Sequence, residues 1–122
     1  MNFLEQCKRT EIKDYTDAGE KVKALVRTLH HLDGLVTEIG ELRDAYKKHI
    51  FYGTPLDRVN VVEEVGDIEY YLELFCDAEN INREDARNRV INKLRQRYPE
   101  KFTQKDAIDR DLSKERAELN KK

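Results

Sequence analysis

Residues 36–74 read VTEIGELRDAYKKHIFYGTPLDRVNVVEEVGDIEYYLEL, and this stretch decides the fold. Apolar residues recur at steps of three and four on both sides of residues 52–55 (YGTP), which is the pattern of amphipathic helices. A Gly followed closely by a Pro is a signal that ends a helix. The stretch therefore predicts two consecutive antiparallel helices, the first beginning near residue 21 and the second covering about 57–79.

The flanking sequence predicts further helices and no strands. A basic helix is expected from Asn82 to Pro99, because the residue before a Pro disfavours the helical region. Thr103 is a candidate N-cap for a charged tail helix over 103–122. A short helix is expected over 2–13, and Asp33-Gly34 is a candidate interruption of the first long helix. The prediction is one all-α domain, 1–122, a helical bundle with its core at about 20–102.

Composition agrees with a charged helical bundle and excludes several classes of protein. Among 122 residues there are 5 Gly and 2 Pro, too few for the turns of a β-sandwich or barrel, and 39% are charged. The net charge of −2 predicts no nucleic-acid partner. No apolar run approaches the roughly 18 residues of a membrane span. Two distant cysteines and an N-terminus charged from Glu5 onward predict a cytoplasmic protein without a disulfide scaffold.

Four carboxylates lie beside the apolar stripes of the two long helices. Glu38 and Glu41 are three residues apart, as are Glu64 and Asp67, so each pair shares one face of its helix. In an antiparallel pair of helices the two motifs reach the same level. Four like charges at one seam repel each other strongly, and a hard divalent cation would relieve that repulsion.

The ligand types favour Mg²⁺, with Mn²⁺ as a substitute, because oxygen ligands suit hard cations. Zinc is less suitable without a matching His or Cys. A di-iron site would need a His three residues after an acid, and the sequence has none at these positions. ExxE and ExxD are also common on solvated helix faces, so the spacing by itself leaves a purely structural interpretation open.

The three linked motifs E38-I-G-E41, E64-V-G-D67 and K93-L-R-Q-R97-Y98-P99 occur in that order. In this respect residues 24–119 resemble the MazG-like, all-α nucleoside triphosphate pyrophosphohydrolases. The resemblance implies Mg²⁺-dependent hydrolysis of a nucleoside triphosphate (NTP or dNTP) to the monophosphate and pyrophosphate. It also implies a homodimer or homotetramer.

The resemblance assigns roles to particular residues. Glu38, Glu41, Glu64 and Asp67 would bind Mg²⁺, and Lys93 and Arg97 would hold the triphosphate. Glu38 and Glu41 are also the candidates for the general base that accepts a proton from water. Asn60, one turn before Glu64, could reach a phosphate or the sugar.

Some residues carry two interpretations. His31 either contacts substrate or is a surface histidine, and Tyr71 either stacks on a base or fills the core. The basic run over 47–49 is either an ordinary helix end or a contact to substrate across a dimer. As for function, the alternatives to an enzyme are a nucleotide sensor, a helical interaction module and a histidine phosphotransfer bundle, the last of which leaves the four carboxylates unused.

Overall fold

The computed structural model describes residues 1–11, 13–14 and 16–121, and its regular structure in these ranges is entirely helical. The described part of the chain forms six helices: α1 (Phe3–Thr10), α2 (Ala18–Tyr52), α3 (Arg58–Ala78), α4 (Arg83–Arg97), α5 (Gln104–Ile108) and α6 (Leu112–Asn120). The prediction of an all-α fold is confirmed. Within the described ranges no helix is both long enough and apolar enough to cross a bilayer.

The chain divides into two compact units, Met1–Tyr71 and Leu72–Lys122. The first unit holds α1, α2 and the first part of α3. Asn2 caps α1 by accepting a hydrogen bond from the backbone N–H of Glu5, and the Glu5 side chain in turn accepts one from the backbone N–H of Asn2. The predicted helix over 2–13 is thus shorter than expected, and residue 12 lies outside the described residues.

Helix α2 is continuous over 35 residues, so Asp33-Gly34 does not interrupt it. A Cβ on Gly34 would overlap the ring of Tyr71, which shows that the glycine lets α3 approach α2 closely. Gly53 ends α2 in the left-handed conformation, with φ of 69°, and its N–H donates to the carbonyl of Lys48. The Gly-then-Pro stop signal is therefore confirmed.

Helices α2 and α3 form an antiparallel hairpin in the first unit. Residue 34 lies opposite residue 71, and residues 38 and 41 lie opposite residue 64, so the two chains advance in opposite directions. Asp57 starts α3 because its Oδ1 accepts the backbone N–H groups of Val59 and Asn60, at 3.0 and 3.2 Å. The hairpin brings the two acidic motifs together.

The second unit contains the end of α3 and helices α4 to α6. Asn82 caps α4 and Thr103 caps α5, each by accepting a backbone N–H, as the sequence predicted. Residues 103–122 do not form one tail helix. Instead α5 ends at Ile108, and Asp111 caps a new helix, α6, that packs against α4.

The described residues contain a small apolar core for a chain of this size. Among the residues that the structure describes, only Val61 and Cys76 are buried hydrophobic residues. The apolar stripe of α2 remains exposed, with Val36 at 72% of its full exposure. The other exposed members of this stripe, which we call the α2 stripe, are Val22, Leu25, Val26, Leu29, Leu32 and Ile39.

Candidate metal centre

Three glutamates from the hairpin converge at one point. Glu38 and Glu41 lie one turn apart on α2, and Glu64 lies on α3. Each offers one carboxylate oxygen, and these three oxygens lie within 4.8 Å of one another. We call this group the glutamate cluster. Its geometry follows from the i, i+3 spacing on α2 and the antiparallel pairing with α3.

Glu64 is the buried member of the cluster, with 6% of its surface exposed. Its Oε2 atom is buried and has no hydrogen-bond partner. Burial raises the pKa of Glu64 to about 7, and a hydrogen bond with Glu38 and the charges of Glu41, Glu38 and Asp67 act in the same direction. The cluster therefore has more negative charge than its surroundings compensate.

These ligands fit a hard divalent cation. All three are carboxylates, and no His or Cys joins the cluster among the described residues. Mg²⁺ is commonly bound by a few carboxylates together with water and substrate phosphates, whereas zinc sites use nitrogen and sulfur donors. The buried Oε2 of Glu64 is the strongest feature in favour of a cation, since an unpaired buried carboxylate oxygen is costly.

Asp67, predicted as a fourth ligand, is not one of the three residues whose oxygens converge. It is half-buried one turn beyond Glu64 on α3, and its charge contributes to the raised pKa of Glu64. Its role as a ligand stays a prediction.

A cavity of about 470 Å³ adjoins the cluster, and two of the cluster's glutamates, Glu41 and Glu64, form part of its wall. Lys48 forms an ion pair with Asp44, Nζ to Oδ2 at 2.7 Å, which raises the pKa of Lys48 and lowers that of Asp44. Asn60 also lines the cavity, so it does lie beside the acidic motifs. The remaining lining residues are Thr37, Gly40, Ala45, Thr54, Pro55 and Asp57.

His31 and Tyr71 lie in an aromatic group with His30. His31 is only 7% exposed, so its interpretation as a surface histidine is wrong. Its Nδ1 is buried without a hydrogen-bond partner, and burial is the main cause of its lowered pKa. Tyr71 is half-buried, and its ring occupies the space that Gly34 leaves. A contact of either residue with substrate stays a prediction.

Lys93 and Arg97, the predicted triphosphate ligands, belong to α4 in the second unit. Lys93 is half-buried. Arg97 binds Glu115 of α6 through two hydrogen bonds, Nε to Oε1 at 2.7 Å and Nη2 to Oε2 at 2.9 Å. Arg110 binds the same carboxylate, with Nη2 at 2.6 Å from Oε2. The guanidinium of Arg97 thus has a protein partner already.

Glu115 is the buried residue that sequence reasoning missed. It is 4% exposed, and its hydrogen bonds with Arg97 and Arg110 hold its pKa well below the usual range. Its position three residues after Leu112 and four before Leu119 gives only a weak signal of burial, because Leu112 is itself 63% exposed. The partner that compensates its charge lies 18 residues away and is not indicated by that pattern.

Comparison with known proteins gives one match. Residues 27–102 match the family model described as the MazG nucleotide pyrophosphohydrolase domain. This range includes both acidic motifs and the Lys93–Arg97 segment. No curated protein and no solved structure matches the chain significantly.

Proposed function

This chain belongs to the MazG nucleotide pyrophosphohydrolase family, and from that premise we propose that it hydrolyses a nucleoside triphosphate with the help of Mg²⁺. The products would be the nucleoside monophosphate and pyrophosphate. The observation that carries this proposal is the glutamate cluster, in which the buried Oε2 of Glu64 has no hydrogen-bond partner. In a nucleotide pyrophosphohydrolase, a cation bound to such carboxylates would offset their repulsion of the negatively charged polyphosphate.

In the proposed reaction Glu38, Glu41 and Glu64 hold Mg²⁺, with Asp67 as the fourth ligand. The bound ion supplies polarisation of the phosphate oxygens and a lower pKa for the attacking water. Whichever of Glu38 and Glu41 is not neutralised by the ion would accept the water proton as general base. The water oxygen would form a new bond to the α-phosphorus, the phosphoanhydride bond between the α- and β-phosphates would break, and pyrophosphate would leave with the electron pair of that bond.

Lys93 and Arg97 are proposed to hold the triphosphate and to stabilise charge that develops on the pyrophosphate. Lys offers a point charge, and Arg offers a planar group of donors. Because Glu115 takes Nε and Nη2 of Arg97, the donors of Nη1 are the ones proposed to meet phosphate. Asn60, His31 and Tyr71 complete the proposed substrate contacts.

We further propose that the protein is a homodimer or homotetramer. The exposed α2 stripe is the supporting observation, since a folded chain of this size normally buries such a stripe. A second copy of the chain, with the same stripe, is the proposed partner. Light scattering at micromolar concentration should give a mass of at least twice 14.5 kDa, and a mass near 14.5 kDa would reject this part of the proposal.

The near balance of charge, with a net value of −2, supports a nucleotide substrate rather than nucleic acid as the binding partner. The whole chain is proposed to act as one domain, because α3 continues without a break from the first unit into the second. A cytoplasmic location is proposed on the two cysteines, Cys7 and Cys76, which are both free.

The function is tested by measuring pyrophosphate released from the eight common ribo- and deoxyribonucleoside triphosphates, with Mg²⁺ and with a chelator. Release that depends on Mg²⁺ with at least one nucleotide is the expected result. Binding of a nucleotide with Mg²⁺ but no release from any of the eight would favour the nucleotide sensor. No binding and no release would favour the interaction module.

A further inference from the structure

Gly40 occupies an interior position of α2 that the packing of this chain does not explain. Gly is among the poorest helix formers, so a glycine in the middle of a helix usually has a packing or functional reason. For Gly34 the reason is the ring of Tyr71, which a Cβ would overlap. A Cβ on Gly40 would meet no atom within 4 Å. The space beside Gly40 is therefore open.

That open space belongs to the cavity beside the glutamate cluster. Gly40 forms part of its wall together with Glu41 and Glu64. Glu64 is nine-tenths buried or more, and its Oε2 has no hydrogen-bond partner, which independently indicates that a ligand completes this place. A volume of about 470 Å³ is within the range of small-molecule sites.

The charges of the wall indicate which part of a nucleotide fits. Four carboxylates and one lysine line the cavity, namely Glu41, Asp44, Asp57, Glu64 and Lys48. A cation at the glutamate cluster would neutralise only the end formed by Glu41 and Glu64. Further along the wall Lys48 is already paired with Asp44, so a polyphosphate tail there would face net negative charge.

An uncharged group with hydrogen-bond donors suits that wall better. The hydroxyls of a sugar and the amino groups of a base can donate to the carboxylates of Asp44 and Asp57, and the amide of Asn60 can both donate and accept. A flat or puckered ring can also lie directly on backbone where no Cβ projects. These properties are those of a nucleoside rather than of a phosphate chain.

We propose that the cavity binds the nucleoside half of the substrate, with the sugar or base lying against the bare backbone of α2 at Gly40. The inference rests on the proposed function for the identity of the ligand. Gly40 is thus a specificity-determining residue, because it separates ligands that carry a nucleoside from those that carry phosphates alone. With a cation held at the glutamate cluster, the phosphates would lie away from Asp44 and Asp57.

The test compares Gly40→Ala with Gly66→Ala. Both glycines lie inside a helix, each just before the second carboxylate of its motif, and neither Cβ would meet an atom within 4 Å. Gly66 does not line the cavity. Both variants should raise the melting temperature, since Ala replaces Gly in a helix. This shared gain verifies that both variants fold.

Affinity is measured by calorimetry with two probes in the presence of Mg²⁺. The first is the set of non-hydrolysable α,β-methylene triphosphates of the four common ribonucleosides, and the second is inorganic tripolyphosphate. We expect Gly40→Ala to weaken binding of the best nucleoside probe about tenfold, because a methyl group overfills the site. Tripolyphosphate affinity should stay unchanged, and Gly66→Ala should match wild type with both probes.

Equal affinity of wild type and Gly40→Ala for the nucleoside probe would overturn the inference. An equal loss of affinity in Gly66→Ala would also overturn it, because Gly66 does not line the cavity. A matching loss of tripolyphosphate affinity in Gly40→Ala would overturn it too, because the substitution would then impair binding of the phosphates and not of the nucleoside. Wild-type protein that binds nucleoside and tripolyphosphate probes equally well would overturn it too. Because the readout is binding, absence of turnover with natural triphosphates would reject the proposed function without deciding this inference.

Discussion

Two buried glutamates of this chain have opposite surroundings. Glu64 in the first unit is 6% exposed and Glu115 in the second is 4% exposed, so their burial is nearly the same. Glu115 accepts hydrogen bonds from the guanidinium groups of Arg97 and Arg110, and its pKa is lowered. Glu64 faces Glu38 and Glu41, its Oε2 has no hydrogen-bond partner, and its pKa is raised to about 7.

The difference separates a carboxylate with a structural role from one that we propose as a cation ligand. A buried charge is tolerated when the fold supplies its counter-charge, as α4 and the chain before α6 do for Glu115. Where the fold supplies more carboxylates instead, folding has a cost that uptake of a proton by Glu64 or binding of a cation can offset. Glu64 and Glu115 cannot be distinguished by their burial, which is nearly the same. They are distinguished by the charge of the groups around them.

The largest expected effect is on turnover. Glu64→Gln should lower kcat at least about a hundredfold, because it removes a charged ligand from the proposed Mg²⁺ site. Pyrophosphate release under saturating Mg²⁺ measures it. The matched control is Glu63→Gln, an exposed neighbour outside the cluster, which should keep wild-type turnover. Equal turnover in the Glu64→Gln variant and wild type would remove Glu64 from the site.

The second effect is on stability and concerns the other glutamate. Glu115→Gln should lower the melting temperature by about 10 °C, because it leaves two arginines without their shared carboxylate. Glu84→Gln is the control, since Glu84 forms only an exposed ion pair with Arg87, at 3.7 Å. Glu64→Gln without Mg²⁺ should behave oppositely and melt no lower than wild type. A marked drop in that variant would contradict the comparison.

Added cation should produce a smaller effect, and only at the cluster. Mg²⁺ at ten times its dissociation constant should raise the melting temperature of wild type by about 5 °C, beyond the effect of Na⁺ at matched ionic strength. Glu64→Gln and Asp67→Asn should lose most of this rise, because each removes a negative ligand. If only Glu64→Gln loses it, Asp67 is not a ligand. A full rise in both variants would count against the site.

The smallest effect is a pH dependence that Glu115 contributes. Its pKa in the folded state lies below its ordinary value of 4.5, so its stabilising contribution is complete above that value and is lost as pH falls towards the folded pKa. The free energy of unfolding of wild type minus that of Glu115→Gln should be constant over about pH 6–8 and should shrink below about pH 4.5. Urea unfolding across this range measures the difference. A difference that grows as pH falls would show that the sign is wrong.

Several features could be predicted because their causes are local in sequence. The periodic apolar residues of 36–74 predicted the α2–α3 hairpin, and residues 52–55 predicted its turn. Asn82 and Thr103 were predicted as caps from the preference of Asn and Thr for helix N-termini. The ExxE and ExxD spacings predicted two acidic faces, and antiparallel pairing brought Glu64 to Glu38 and Glu41.

Other features depended on partners far away in the chain. The tail was predicted to be one charged helix, but it forms two, and Asp111 caps the second. Glu115 of this second helix accepts a hydrogen bond from Arg97 on α4. Gly34 was predicted as a candidate interruption of the helix, but the structure shows that the missing side chain leaves space for the ring of Tyr71. The sequence left His31 as either a substrate contact or a surface histidine, and the residue is buried. In each case the neighbour in space, absent from the local pattern, decided the role.

The sequence by itself determined that this chain is helical, where its long helices end, and that two acidic motifs face one seam, because backbone propensities and periodicity act over a few residues. Only the tertiary structure decided which carboxylates are compensated. The free energy of a buried charge depends on the groups within a few ångströms of it, and for Glu64 and Glu115 those groups come from other helices or, for Arg110, from the segment just before α6. The same residue type, equally buried, is therefore a proposed cation ligand in one unit and a structural anchor in the other.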